Sequence, residues 1–94
     1  MALHQVLAAL ADSTRRNILQ TLRKGKISSG DLAKSLGMTP QALSYHLARL
    51  KQAGLIYETR QKNFIYYELD LSVLDEAVLW INDLKGGAPH ETEQ

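Results

Sequence analysis

The feature that most constrains this chain is a pair of helix signals set almost back to back around Gly37. Ser28 and Asp31 form a capping-box-like S-x-x-D, Leu32, Ala33 and Leu36 give a small apolar face, and Gly37 ends that helix. Only Met38 separates Gly37 from the next cap, Thr39, and Pro40 falls at the first helical position, where its missing N–H is not needed. Leu43, Leu47 and Leu50 mark the buried side of a helix over 39–53, closed by Gly54. Short helices with narrow apolar faces, joined by a tight glycine turn, make a helix-turn-helix pattern.

The flanks extend this unit. Leu3, Val6, Leu7 and Leu10 recur at helical spacing, so a short helix is expected over 3–10. Asp12 or Ser13 can cap a second helix, whose stripe is Ile18, Leu19 and Leu22 and whose end is Gly25. Arg15 and Arg16 sit in its first turn, the wrong end for cations beside a helix dipole, so an ion pair or a phosphate must favour them. Between Leu55 and Leu69 the period changes: Leu55–Arg60 and Phe64–Leu69 are rich in β-branched and aromatic residues around the polar link Gln61-Lys62-Asn63. A hairpin that follows a helix-turn-helix is a wing, and its tip carries Arg60 and Lys62. Ser72 can cap a last helix over 72–85. The expected fold is mainly α with a small β-hairpin: a winged helix-turn-helix of four helices, a hairpin and a fifth helix. Residues 1–85 form the domain, and 86–94, with its Gly and Pro breakers, is expected to be a flexible acidic tail.

Ninety-four residues hold one domain with a modest core. The last helix, however, is apolar at Val73, Leu74, Ala77, Val78, Leu79, Trp80, Ile81 and Leu84, which is more than one stripe. The economical way to cover it is a second copy of the chain, with first and last helices packed across a two-fold axis. Leu3, Val6, Leu7, Leu74, Val78, Trp80, Ile81 and Leu84 are the candidate dimer interface; the alternative is that Trp80 and its neighbours fold back on their own domain.

Composition removes several kinds of chemistry. The absence of cysteine excludes a disulfide framework, a thiolate metal site and a Cys nucleophile. No apolar run approaches the roughly 18 residues of a spanning helix, and the start of the chain carries no basic, apolar leader pattern. The expectation is a cytoplasmic protein without membrane insertion. Charge is polarised: residues 13–62 hold ten Lys/Arg against two acids, whereas 63–94 hold one Lys against seven acids. A polyanion would approach the middle of the chain.

Helical geometry sorts the 39–53 segment. Leu43, His46, Leu47 and Leu50 lie inward, Gln41, Ser44, Tyr45 and Ala48 outward, and Arg49, Lys51 and Gln52 on the flanks. The outward strip has no acid, little bulk, and donors and acceptors of the kind that read base edges. Arg49, Lys51 and the N–H groups at the Thr39–Gln41 end suit phosphate oxygens. The bland reading of the same strip is an ordinary exposed polar helix face.

These residues also carry a resemblance. Asp12-Ser13-Thr14-Arg15-Arg16-Asn17-Ile18-Leu19 resembles the D-x-T-R-x-x-I-L opening of the ArsR-type winged-helix repressors, and Leu43 through Ile56 resembles their recognition-helix string. Arg60 through Leu69 resembles their wing, and the likeness runs over about 3–84. Within the family it is similar to the small autorepressors of the SdpR type. The resemblance implies a homodimeric transcriptional repressor on double-stranded DNA at a palindromic operator, autoregulatory, with Thr39, Pro40, Gln41, Ser44, Tyr45, Arg49, Lys51, Arg60 and Lys62 as the DNA-binding set. Tyr45 stands where the family often has His, so the operator sequence does not carry over.

The chain departs from the family's metal sensors. Ser28, Ser29, Gly30 and Asp31 stand where those sensors place a cysteine pair, and the last helix offers Asp75, Glu76 and Asp83 but no histidine. His4, His46 and His90 lie on separate elements, and His46 reads as a hydrogen-bonded packing residue. No metal and no cofactor are expected. The missing sensor chemistry points instead to control by protein level or by a sequestering protein partner. An enzyme is disfavoured, because no nucleophile–base or carboxylate pair is placed in a cleft. The competing class is a winged-helix protein–protein interaction module that does not bind DNA.

Overall fold

The computed structural model describes residues 2–86; the expected tail lies outside these residues apart from Gly86. Its elements are α1 (Leu3–Leu10), α2 (Ser13–Leu22), β1 (Ile27–Ser28), α3 (Ser29–Leu36), α4 (Pro40–Gln52), β2 (Ile56–Gln61), β3 (Phe64–Leu69) and α5 (Leu71–Leu84). The fold is the winged helix-turn-helix that the pattern implied, with an additional strand. β1 adds to the hairpin to give an antiparallel sheet ordered β1-β3-β2, with Ile27 opposite Tyr67 and Ser28 opposite Tyr66. A strand of two residues shows no alternation to read, which is why the sequence hid it.

Local chemistry sets the helix ends. The side chains of Asp12, Ser28 and Thr39 accept from the backbone N–H of Arg15, Asp31 and Ala42 at 3.0, 3.2 and 3.2 Å. Gly37 takes the left-handed conformation at φ 63°, and the Met38 N–H returns to the Ala33 carbonyl at 3.0 Å. Gly54 does the same at φ 76°, with the Leu55 N–H on the Leu50 carbonyl at 3.0 Å. The cap of α5 is Asp70 rather than Ser72: its carboxylate accepts from the Ser72 N–H at 3.1 Å and from the Ser72 hydroxyl at 2.6 Å. An Asx side chain ahead of a serine captures both of its donors, which leaves Ser72 inside the first turn.

The core gathers Val6 and Ala9 of α1, Ile18 and Leu22 of α2, Leu32 of α3, Leu43, Leu47 and Leu50 of α4, and Leu55, Ile56 and Tyr67 from the wing. Val6 is 0% exposed and belongs wholly to this core, which corrects its expected place in a dimer interface. The helical stripe of α1 is split: Val6 and Ala9 turn toward α2 and α4, while Leu7 stays exposed and Leu3 half-buried. Along α5 only Ala77 is buried, with Val73 and Leu74 packed partly against the core.

The wing turn is tight. Strands pair from Ile56 opposite Leu69 to Gln61 opposite Phe64, leaving Lys62 and Asn63 as the loop. Lys62 has φ 57°, a conformation that two-residue hairpin loops demand and that glycine or asparagine adopts more easily.

A Cβ on Gly54 would meet the Val73 side chain at 3.0 Å, on a backbone already at positive φ. Gly54→Ala should therefore destabilise the fold by about 1–2 kcal/mol, read by urea denaturation. In a Val73→Ala background the same change should cost less, because the contact is gone and the backbone strain remains; equal costs in both backgrounds would remove the contact from the explanation.

Candidate nucleic-acid interface

The expected inward and outward faces of α4 are the observed ones. Leu43, Leu47 and Leu50 are buried and His46 half-buried, whereas Thr39, Pro40, Gln41, Ser44, Tyr45, Ala48, Arg49, Lys51 and Gln52 are exposed. Arg60 and Lys62 are exposed on the wing. The strip formed by Gln41, Ser44, Tyr45 and Ala48 is thus open to solvent and carries no acidic side chain.

The cations around it differ in availability. Lys51 donates to the Glu58 carboxylate at 2.7 Å, an ion pair that joins α4 to β2. Its charge is already partnered, so its first role is to fasten helix to wing. No spacing rule links residues 51 and 58 across a turn, and the sequence alone did not pair them. Arg49 lies with its guanidinium carbon 5.2 Å from the Tyr45 ring centroid and donates to the Gln52 side-chain Oε1 at 3.3 Å.

Arg15 and Arg16 resolve differently from either expectation. Arg15 donates to the Ala9 carbonyl at 3.0 Å and the Ala8 carbonyl at 3.1 Å, and Arg16 to the Leu10 carbonyl at 2.8 Å. Cations at the unfavourable end of α2 are cations at the favourable end of α1, where orphan carbonyls await donors. Arg15 also reaches the Nδ1 of His46 at 3.2 Å, so His46 is the hydrogen-bonded packing residue expected of it.

α5 leaves Leu71, Val78, Leu79, Trp80, Ile81 and Leu84 exposed, Leu79 at 63% and Leu84 at 72%. Leu7 of α1 is exposed as well, at 45%. Leu71 and Leu79 were not among the expected interface residues; the signal was the apolar character of α5 around most of its circumference. Among the described residues no three His, Cys, Asp or Glu side chains converge on a metal position, and no helix is long and apolar enough to cross a membrane.

A short helix-turn-helix beside a small wing defines a winged helix-turn-helix protein. Residues 12–58 match the family of bacterial regulatory proteins described as arsR. The transcriptional repressor SdpR of Bacillus subtilis strain 168 is 38% identical over 79 residues, which span 84% of this chain and 88% of SdpR. An ArsR-like transcriptional regulator from Rhodococcus sp. RHA1 superposes with a TM-score of 0.85 at 30% identity, over 89% of this chain and 77% of that one. The homodimeric winged helix-turn-helix DNA-binding domain of a Mycobacterium bovis protein superposes with a TM-score of 0.73 at 28% identity, over 97% and 87%. The chain belongs to the arsR family of bacterial regulatory proteins, a family of transcriptional regulators rather than enzymes.

Two carboxylates tie this region to pH. The Lys51 hydrogen bond holds Glu58 below the ordinary glutamate range, and the Arg15 backbone N–H holds Asp12 below that of aspartate. Across the hairpin, burial and then the Glu58 charge push the Tyr67 phenol up. Carboxylates depressed on folding add stability that is complete above their unfolded values and is lost as pH falls through the folded ones. The melting temperature should therefore drop on acidification through and below the carboxylate range. In Lys51→Met the Glu58 share of that drop should shrink to the smaller part that Arg60 and Tyr67 supply; an unchanged acid profile in this variant would mean that the ion pair does not stabilise the fold.

Proposed function

We propose that this protein is a homodimeric, sequence-specific DNA-binding repressor that acts on a palindromic operator near its own gene. The observation that carries the reading is the acid-free strip of Gln41, Ser44, Tyr45 and Ala48, fully open on the solvent side of α4 and flanked by Arg49 and the wing cations Arg60 and Lys62. In this reading α4 enters the major groove, Gln41, Ser44 and Tyr45 meet base edges, and Thr39, Pro40 and the α4 N-terminus approach the backbone. Arg49, Arg60 and Lys62 contact phosphates, with Lys51 in reserve behind its ion pair. Similarity to the DNA-binding domain of the Mycobacterium bovis neighbour and to SdpR, a transcriptional repressor, supports this assignment.

The dimer rests on Leu7, Leu74, Val78, Trp80, Ile81 and Leu84, joined by Leu3, Leu71 and Leu79. This surface is too apolar to leave in water, and the Mycobacterium bovis neighbour is itself homodimeric. Because the sequence lacks the cysteine pair and the last-helix histidine of the family's metal sensors, this reading assigns relief of repression to protein level or to a sequestering protein partner, in the cytoplasm.

The test is binding to the DNA upstream of the protein's own gene as a function of salt. A dimer neutralising about six to ten phosphates should show a log–log slope of about −5 to −9, and Arg60→Ala or Lys62→Ala should flatten it by about two units per dimer. Ser44→Ala or Gln41→Ala should cost about 1–3 kcal/mol on the operator and little on random DNA. A slope near zero would favour a protein-interaction module instead. The assembly has its own check: Ile81→Glu should convert a dimer into a monomer in sedimentation equilibrium, and a wild-type chain that is monomeric at micromolar concentration would defeat the dimeric reading.

A further inference from the structure

Tyr45 is the one large side chain on the solvent strip of α4, and at 55% exposure it has little packing of its own to fix it. What fixes it is a frame. The His46 ring meets the Tyr45 ring edge-on, centroids 5.2 Å apart and planes at 76°. Arg49 covers the Tyr45 face at 5.2 Å and is itself held by Gln52. His46 is held in turn by Arg15, whose guanidinium divides its donors between the Ala8 and Ala9 carbonyls and the imidazole. A guanidinium only donates, so His46 presents a bare Nδ1 and carries its proton on Nε2. Beside this frame an open groove of about 270 Å³, lined by Gln5, Ala8, Arg15, Tyr45, Arg49 and Gln52, leaves space for the phenol to swing toward α1.

We infer that Arg15 and His46 are specificity-determining positioning residues: they touch no DNA, yet they hold the Tyr45 phenol in the pose from which it reads a base. The inference rests on the DNA-binding reading above and adds to it a route by which the end of α1 sets the aim of α4. A hydrogen-bonding side chain discriminates bases only when its geometry is fixed, so a phenol free to occupy the groove would keep its affinity for DNA and lose its choice. The guanidinium fork is essential, because one cation must serve two carbonyls and a ring nitrogen at once.

The experiment selects binding sites from a random-sequence DNA pool with the full chain and with Tyr45→Phe, His46→Asn and Arg15→Lys, each checked for a wild-type melting curve. Tyr45→Phe should relax one position per half-site. His46→Asn and Arg15→Lys should relax that same position by about tenfold, the lower part of the range for one base contact, while affinity for random DNA stays within about twofold. Unchanged preferences, relaxation elsewhere, or a uniform loss at all positions would overturn the inference and leave the DNA-binding reading standing. A wild-type chain that enriches no sequence would overturn both. Should the variants fail to fold, the wild-type protein decides by nitrogen-15 NMR at neutral pH: an unprotonated His46 Nδ1 with ring-to-ring contacts to Tyr45 supports the frame, and a protonated Nδ1 overturns it.

Discussion

Burial of Leu43, Leu47 and Leu50 along one side of α4 is the constraint on which the rest of the molecule turns. A helix rotates by about 100° per residue, so fixing these three leucines fixes what every other position of α4 shows. Gln41, Ser44, Tyr45 and Ala48 are left facing out because no other azimuth remains to them. A core this small tolerates little rotation: turning α4 by one residue would expose leucine and bury Ser44 and Lys51 in an apolar interior. The solvent-facing strip is therefore a by-product of the hydrophobic one.

Polar ties then hold α4 against its neighbours at both ends. At the C-terminal end Lys51 grips Glu58 of β2, and Gly54 turns the chain so that Leu55 and Ile56 enter the core. Near the N-terminal half, Arg15 binds the last carbonyls of α1 and the ring of His46. An exposed ion pair such as the first adds little to stability; its effect is to keep helix and wing in one relative orientation. The second tie is made largely of charged donors on neutral carbonyls, which are stronger than neutral hydrogen bonds.

Much of this was legible in the chain. The turn at Gly37, the caps at Asp12, Ser28 and Thr39, and the two faces of α4 follow from residue types at fixed spacing, because capping and helical periodicity act within a few residues. The partners of Arg15, Arg16 and Lys51 were not legible. Each lies six or more residues away across a turn, where no periodicity reports which groups meet. Val6 was misplaced for a related reason: Leu3, Val6, Leu7 and Leu10 form one stripe on paper, but the stripe is wide enough to be shared between an inside and an outside, and only the packing of α1 against α2 and α4 divides it. β1 escaped because two residues carry no period, and the start of α5 was read two residues late because Asp70 accepts from both donors of Ser72 and takes the capping role from it.

The loop of the wing sets a charge against ease of folding. Lys62 occupies a left-handed backbone position that an ordinary side chain adopts only under steric strain. Glycine would fit that corner without resistance and would leave it electrically blank. Lysine puts a positive charge on the two-residue bend of the wing and makes that tip a place where firmness of fold is exchanged for charge.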